Sequence, residues 1–225
     1  MQNHVKHEAL IREILVLGDS HSPVFAHPLF KEKFPNLFFN VLTVIGATAS
    51  GLENPNSTTK AYPVFRKAAM QTTAKQVIVM LGEVDTGFVI WYRAQKYQES
   101  VTAMMDKAIA SYSGFLAELK MRFEVVCIST PLPTIQDGND WGDIANARRE
   151  VTASQVERTA LTLEFNRTMQ LFCMQNNIRY IMLDSVSLGE GGIVKTDLLN
   201  SNCNDHHYDQ DQYSRLLVER LTRVI

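Results

Sequence analysis

What this sequence lacks first is an excess of positive charge, and that shortage removes a large class of partners. Its 22 Lys and Arg residues are outnumbered by 24 Asp and Glu, for a net charge of −2. No basic field is available to hold a phosphate backbone, which excludes nucleic acid as a default partner. Long apolar runs are missing too: none approaches the roughly 20 residues needed to cross a bilayer. The opening stretch, Met1 to Arg12, is polar and mixed in charge, without the apolar segment of a signal peptide. Cysteine is scarce. Cys127, Cys173 and Cys203 are odd in number and far apart, which argues against a disulfide framework. Together these absences predict a reduced, cytoplasmic protein with neither a nucleic-acid nor a membrane partner, and they leave the oligomeric state open.

What is present suffices for one sizeable core: 45% of the 225 residues are hydrophobic and 20% charged. A single domain over residues 1–225 is expected. Short β-branched runs alternate with longer helical patterns, the signature of a parallel sheet covered by helices. Strands are predicted at Ile14–Leu17, Leu37–Ile45, Gln76–Leu81, Glu124–Ser129 and Arg179–Leu183. Between them, Val101, Met105, Ala108, Tyr112, Phe115 and Leu119 recur at helical spacing, so one face is apolar. A second helix opens at Thr152-Ala153-Ser154-Gln155, which has capping-box form, and carries Leu161, Phe165, Met169 and Phe172 on one side. A last helix turns Tyr213, Leu217 and Leu221 inward, and the methionines in these stripes read as core filler. The fold class is α/β: a three-layer α/β/α sandwich around a flavodoxin-like five-stranded parallel sheet. Ligands of such sheets bind beyond the carboxyl ends of the strands, so the chemistry is sought there.

Four strand ends carry reactive or permissive residues. The first strand runs into Gly18-Asp19-Ser20-His21-Ser22, where glycine permits a sharp turn that exposes the serine. If Ser20 begins a helix, its own N–H is unpaired and can face a developing oxyanion. The second ends at Gly46-Ala47-Thr48-Ala49-Ser50-Gly51, whose first glycine lets backbone approach a ligand and offer an N–H. The third ends at Gly82-Glu83-Val84-Asp85, two carboxylates able to move protons, bind a cation or hold a basic side chain such as Arg93. Beyond the fifth lies Asn204-Asp205-His206-His207-Tyr208, where a histidine beside an aspartate can activate a serine. Trp91 and Tyr92 suit either sugar stacking or core packing. The polar tract Ile135–Ile144 is a connector that could also cover the crevice.

In this order, the four segments resemble the blocks of the SGNH, or GDSL-like, hydrolases. Ser20 in LVLGDSHS matches the nucleophile block and Gly46 in VIGATASG the oxyanion-glycine block. Gly82 to Asp85 falls where Gly-x-Asn-Asp is expected, and Asp205 to His207 where the closing Asp-x-x-His is expected. The resemblance runs from Gly18 to His207. It implies acyl transfer through a Ser20 ester, with His207 as base, Asp205 orienting it, and the N–H groups of Ser20 and Gly46 as the oxyanion hole. It implies no cofactor and no metal. Asp19, His21, Glu83, Asp85, Arg93, Asn204 and His206 are supporting candidates. The GDSH and GEVD variants are similar to SGNH-type proteins associated with bacterial surface-glycan biosynthesis, which implies a small-molecule or glycan ester as substrate.

Two departures bear on this. Val84 stands at the Asn position and has no amide to donate, and Asn204 stands three before His207, with the nearest carboxylate at Asp205. Asp205 could reach the ring from an altered turn, the Asn204 carbonyl could orient it, or His206 could be the base. Two other functions fit. One is a binding domain that keeps the fold without turnover. The other is a metal-dependent phosphoesterase using Asp19, His21, Glu83, Asp85, Asp205, His206 and His207 as ligands.

Overall fold

The computed structural model describes residues 11–138, 151–202 and 204–225. The opening segment to Leu10, most of the Ile135–Ile144 tract and Cys203 lie outside the described residues.

Strands β1 (Arg12–Gly18), β2 (Leu37–Thr43), β3 (Gln76–Met80), β4 (Glu124–Ile128) and β5 (Arg179–Ile181) make one sheet. Its order is β2-β1-β3-β4-β5 and every neighbouring pair is parallel. This is the doubly wound order in which the chain switches direction between β1 and β3, opening a crevice at their carboxyl ends.

The strand-forming runs in the sequence extend past the ladder. Val44 still donates to Gly18 O at 2.9 Å, but Ile45 is 77% exposed and belongs to the turn at Gly46. Likewise Leu81, Ser129 and Leu183 follow their strands; the amide of Leu183 is bound by Ser129 Oγ at 2.9 Å. Leu81 and Leu183 keep apolar character because they stay buried past the ladder, and Ser129 still donates its amide to Ile181 O at 2.9 Å.

The helices are α1 (Pro28–Lys33), α2 (Ala61–Gln71), α3 (Ile90–Tyr97), α4 (Val101–Lys120), α5 (Gln155–Gln175), α6 (Asp184–Ser187) and α7 (Gln210–Leu221). Side chains alternate across each strand, so the inner strands feed two separate cores. Leu15, Leu17, Val77 and Val79 pack with Phe65 of α2, Phe115 of α4 and Phe165 of α5. Ile14, Val16, Ile78 and Met80 pack with Phe30 of α1 and with Tyr213, Leu217 and Leu221 of α7. The three-layer sandwich follows from this alternation. Truncating a fully buried aromatic such as Phe165 to alanine in such a core costs about 3–5 kcal/mol.

The capping box of α5 is displaced from the expected one. Ser154, not Thr152, is the N-cap, and its partner is Glu157: Ser154 N donates to Glu157 Oε2 at 2.7 Å. An ionised carboxylate accepts more strongly than the Gln155 amide, so the register with glutamate at the third position wins. Cys127 and Cys173 are both buried thiols. Among the described residues, no helix is long and apolar enough to cross a membrane.

Candidate active site

The turn after β1 is built by close approach. A Cβ at Gly18 would lie 2.7 Å from Ser22 Cβ and 2.9 Å from Met80 O, so no larger residue fits there. Its φ is not positive; proximity, not left-handed backbone, demands the glycine. Asp19 is buried and organises the residues after it. Its amide donates to Met80 O at 3.3 Å, and its Oδ1 accepts the amide of His21 at 2.9 Å and bonds His21 Nδ1 at 3.1 Å. Ser22 N and Ser22 Oγ both donate to Asp19 O, at 3.1 and 2.8 Å. The amides of Asp19, His21 and Ser22 are therefore engaged around Ser20, which is half-buried at the apex. The helical segment expected to begin at Ser20 instead begins at Ser22, a 3₁₀ turn over Ser22–Ala26 with Pro23 at its start. Proline fixes φ and needs no N–H partner there, which sets that boundary.

Gly46 has φ +72°, a left-handed conformation that a side chain would strain. The loop after it is tied to the third strand end by one carboxylate. Asp85, fully buried, accepts the amide of Ala49 at Oδ2 (2.6 Å) and that of Ser50 at Oδ1 (3.0 Å). Burial raises its pKa from 3.8 to about 6, while the bonds from Ser50 and Ala49 and the field of Arg93 pull it back down. Both carboxylate oxygens of Asp85 are taken by backbone amides, while Arg93 acts on it through its field. Asp85 begins a π-helical turn, Asp85–Val89, an irregularity common at functional sites. Glu83 is buried on the same turn, and Val84 is half-buried. Trp91 packs against the core and donates Nε1–H to Thr86 O at 2.8 Å, and Tyr92 stacks on Phe88. Trp91 takes the packing role, and Tyr92 stays half-buried beside Phe88.

The histidine loop is organised by Asp205. Its Oδ1 accepts the backbone amide of His207 at 2.9 Å and bonds His207 Nδ1 at 2.6 Å. Asp205 thereby reaches the ring from within a two-residue turn, the altered geometry the sequence required. The backbone N–H of Asn204 donates to Asn202 Oδ1 at 3.1 Å. Burial raises the Asp205 pKa, but the bonds from the His207 amide and ring outweigh it and hold the carboxyl below its ordinary value. His207 Nε2 is buried and has no hydrogen-bond partner among the described residues. The His207 ring lies 4.7 Å, centroid to centroid, from that of His21 and 4.2 Å from that of His206. This packing brings the histidine loop against the residue that follows Ser20. Asp205, His206 and His207 also present ligand atoms within 4.8 Å of one another.

Three supports of this loop have no counterpart among the residues expected from sequence. Asn200 Nδ2 donates to Asp205 Oδ2 at 3.1 Å, a contact without a motif to announce it. Tyr208 Oη is buried and accepts the amide of Leu132 at 2.8 Å. Thr134 Oγ1 donates to His206 O, so the histidine loop leans on the segment leaving β4. That segment is anchored in turn by Arg158, whose Nη2 donates to Ile135 O at 2.7 Å and meets Asp137 Oδ1 at 3.2 Å.

No family model matches this chain, and no curated protein matches it in sequence. Solved structures do. A GDSL-like lipase from Bacteroides thetaiotaomicron superposes with a TM-score of 0.62 at 13% identity, over 94% of this chain and 86% of that one. A carbohydrate acetylesterase from Sinorhizobium meliloti gives 0.57 at 12% identity, over 95% of this chain and 100% of the other. An acetyl xylan esterase from Geobacillus stearothermophilus gives 0.54 at 12%, over 96% and 94%. The sheet order, the two helical layers and these superpositions together show that the chain has the fold of the GDSL-like, or SGNH, hydrolases.

Proposed function

We propose that this protein is a serine esterase of the SGNH type, acting on a small acylated carbohydrate through an acyl-enzyme on Ser20. The observation that carries the reading is the state of His207. Asp205 holds Nδ1, which fixes the tautomer and orientation of the ring, and the buried Nε2 is left without a partner among the described residues. That is the arrangement a general base needs beside a serine.

His207 Nε2 takes the Ser20 Oγ proton as the oxygen attacks the ester carbonyl. The carbonyl oxygen becomes an oxyanion facing the N–H groups of Ser20 and Gly46. The ester C–O bond then breaks, and the His207 proton passes to the departing alkoxide. Water, deprotonated by His207, attacks the acyl-enzyme; the bond from the acyl carbon to Ser20 Oγ breaks, the His207 proton passes to Ser20 Oγ, and the carboxylic acid leaves. Asp205, kept ionised by its bonds to His207, stabilises the imidazolium that forms twice in the cycle. Release to a sugar hydroxyl in place of water would make the same acyl-enzyme a transferase. Acetylated sugars are the first substrates to test, because two solved structures of similar fold are carbohydrate acetylesterases.

The test is a fluorophosphonate probe read by intact mass, on the wild-type protein and on Ser20→Ala, with metal analysis of the same preparations. One adduct on the wild type, absent from a folded Ser20→Ala, supports an activated serine. No adduct on a folded protein refutes it. The Asp205-His206-His207 cluster supports a second reading, a metal-dependent phosphoesterase, which stoichiometric metal with phosphoester turnover would favour.

A further inference from the structure

A cavity of about 670 Å³ opens between the 52–60 loop, the start of α2 and the middle of α4. Its volume falls within the range of small-molecule sites. None of the residues assigned to the reaction lines it. The apolar part comes from Leu52, Pro55, Pro63 and the rings of Tyr62 and Phe115, which meet edge to face with centroids 6.1 Å apart. The polar part comes from Asn54, Ser57, Ser111 and Lys60 together with two carboxylates, Glu53 and Glu118. Glu118 is held in place: Tyr62 Oη donates to its Oε2 at 2.9 Å and Arg66 Nε lies 3.4 Å from its Oε1. The lysine at the rim, Lys60, donates its ammonium to Pro55 O at 2.6 Å. The lining therefore offers an oriented acceptor, Glu118, beside the Tyr62 ring.

A second observation points to the same place. Gly114 sits inside α4, where glycine weakens a helix relative to alanine. Its φ is not positive, so the backbone does not require it. The nearest atom to a Cβ built there is Glu53 Oε1, at 3.3 Å, across the cavity wall. What the missing side chain leaves is room beneath the Glu53 carboxylate.

The geometry points to this cavity as a second binding site, for a neutral saccharide of one or two rings. Sugar C–H groups would lie on the half-buried Tyr62 ring, which Phe115 backs, and hydroxyls would donate to Glu53 and Glu118; an anionic ligand would meet two carboxylates. The site is coupled to the candidate oxyanion loop. Ser111, on its wall, donates Oγ–H to Ala49 O at 2.8 Å and accepts the Glu53 amide at 3.2 Å. The proposal does not depend on Ser20 chemistry.

The experiment is a titration of the ¹⁵N-labelled protein with xylobiose and with cellobiose, followed by amide chemical shifts. Saturable shifts at Glu53, Ser111 and Gly114 are expected, with smaller ones at Ala49. Gly114→Leu, which fills the cavity, should abolish them with the melting temperature retained. Glu118→Gln, which keeps an acceptor for Tyr62 but removes the charge, should weaken binding about tenfold, and it carries the test if Gly114→Leu does not fold. Ser20→Ala should bind as the wild type does, which separates this site from the esterase reading. Absence of saturable shifts with both disaccharides, shifts confined to Ser20 and Gly46, or unchanged binding in both cavity variants would overturn it.

Discussion

Replacing Asp85 by asparagine keeps the shape of the side chain and removes a buried charge, and the consequence is a change in the pH dependence of stability. In the fold, burial raises the Asp85 carboxyl from 3.8 to about 6. Between those two values the folded chain holds one more proton than the unfolded chain. Stability contributed by this group is therefore greatest at low pH and falls as pH rises through the window. At about 1.4 kcal/mol per pK unit, the ionised group costs the fold about 3 kcal/mol at neutral pH and about 1 kcal/mol near pH 4.5. Asparagine offers one acceptor oxygen where two amides, those of Ala49 and Ser50, now bond. The loss of one of these bonds is a pH-independent penalty of about 1–3 kcal/mol. Asp184, also raised to about 6 by burial, is present in both proteins and cancels. Urea unfolding of the wild type and Asp85→Asn at about pH 4.5 and about pH 7.5 isolates the charge. The difference between them should move by about 2 kcal/mol in favour of the variant at the higher pH. Parallel stabilities at the two pH values would refute a buried, titrating Asp85.

Three further outcomes are expected at the site. Val84→Asn supplies the amide donor missing from the third strand end; since one oxyanion donor is worth about 10²–10³ in turnover, kcat on an acetylated sugar should rise at least about tenfold, and an unchanged kcat would mean another group already fills that role. Asp205→Ala releases the His207 ring and should lower kcat by about 10²–10⁴ with KM little changed, read by steady-state kinetics. Gly46→Ala forces a side chain into left-handed backbone and should cost about 1–2 kcal/mol in stability with a larger proportional loss of kcat; a loss of stability alone would separate Gly46 from the oxyanion hole.

The strands and their order of use were legible because β-branched runs buried on both faces leave little else for Ile14–Leu17 or Gln76–Leu81 to become. Their ends were not, because burial outlasts the ladder at Leu81 and Leu183. The α5 cap was legible as a pattern but not as a register, since Thr152–Gln155 and Ser154–Glu157 compete and only the charge of Glu157 decides. At the candidate site, residue types and strand ends pointed to segments that the fold draws together in pairs, His21 against His207 and Asp85 against Ala49 and Ser50. The bond from Asp85 to Ala49 and Ser50 was hidden, because it joins positions 36 and 35 residues apart through backbone amides, which carry no sequence signature. The same holds for Asn200 and Asp205, and for Tyr208 reaching Leu132. Local pairs such as Asp205 and His207 could be weighed from spacing; contacts made across loops could not.

The hydrogen bonds that hold the histidine loop come from other loops, while Tyr208 at its end is anchored in the core against the sheet. Asp205 grips His207 within two residues, and Thr134 and Tyr208 fasten the loop to the exit of β4, which Arg158 pins to α5. Opening of the Thr134–His206 bond alone would let the aspartate and histidine move as one piece, their mutual geometry intact, while Tyr208 and both cores stay in place. Local opening of this kind needs far less free energy than global unfolding. If Ser20 and His207 react as proposed, a locally opened form with its sheet intact and no turnover is the expected consequence. On warming, catalysis should fade at a temperature where the far-ultraviolet dichroism still reports the native helices.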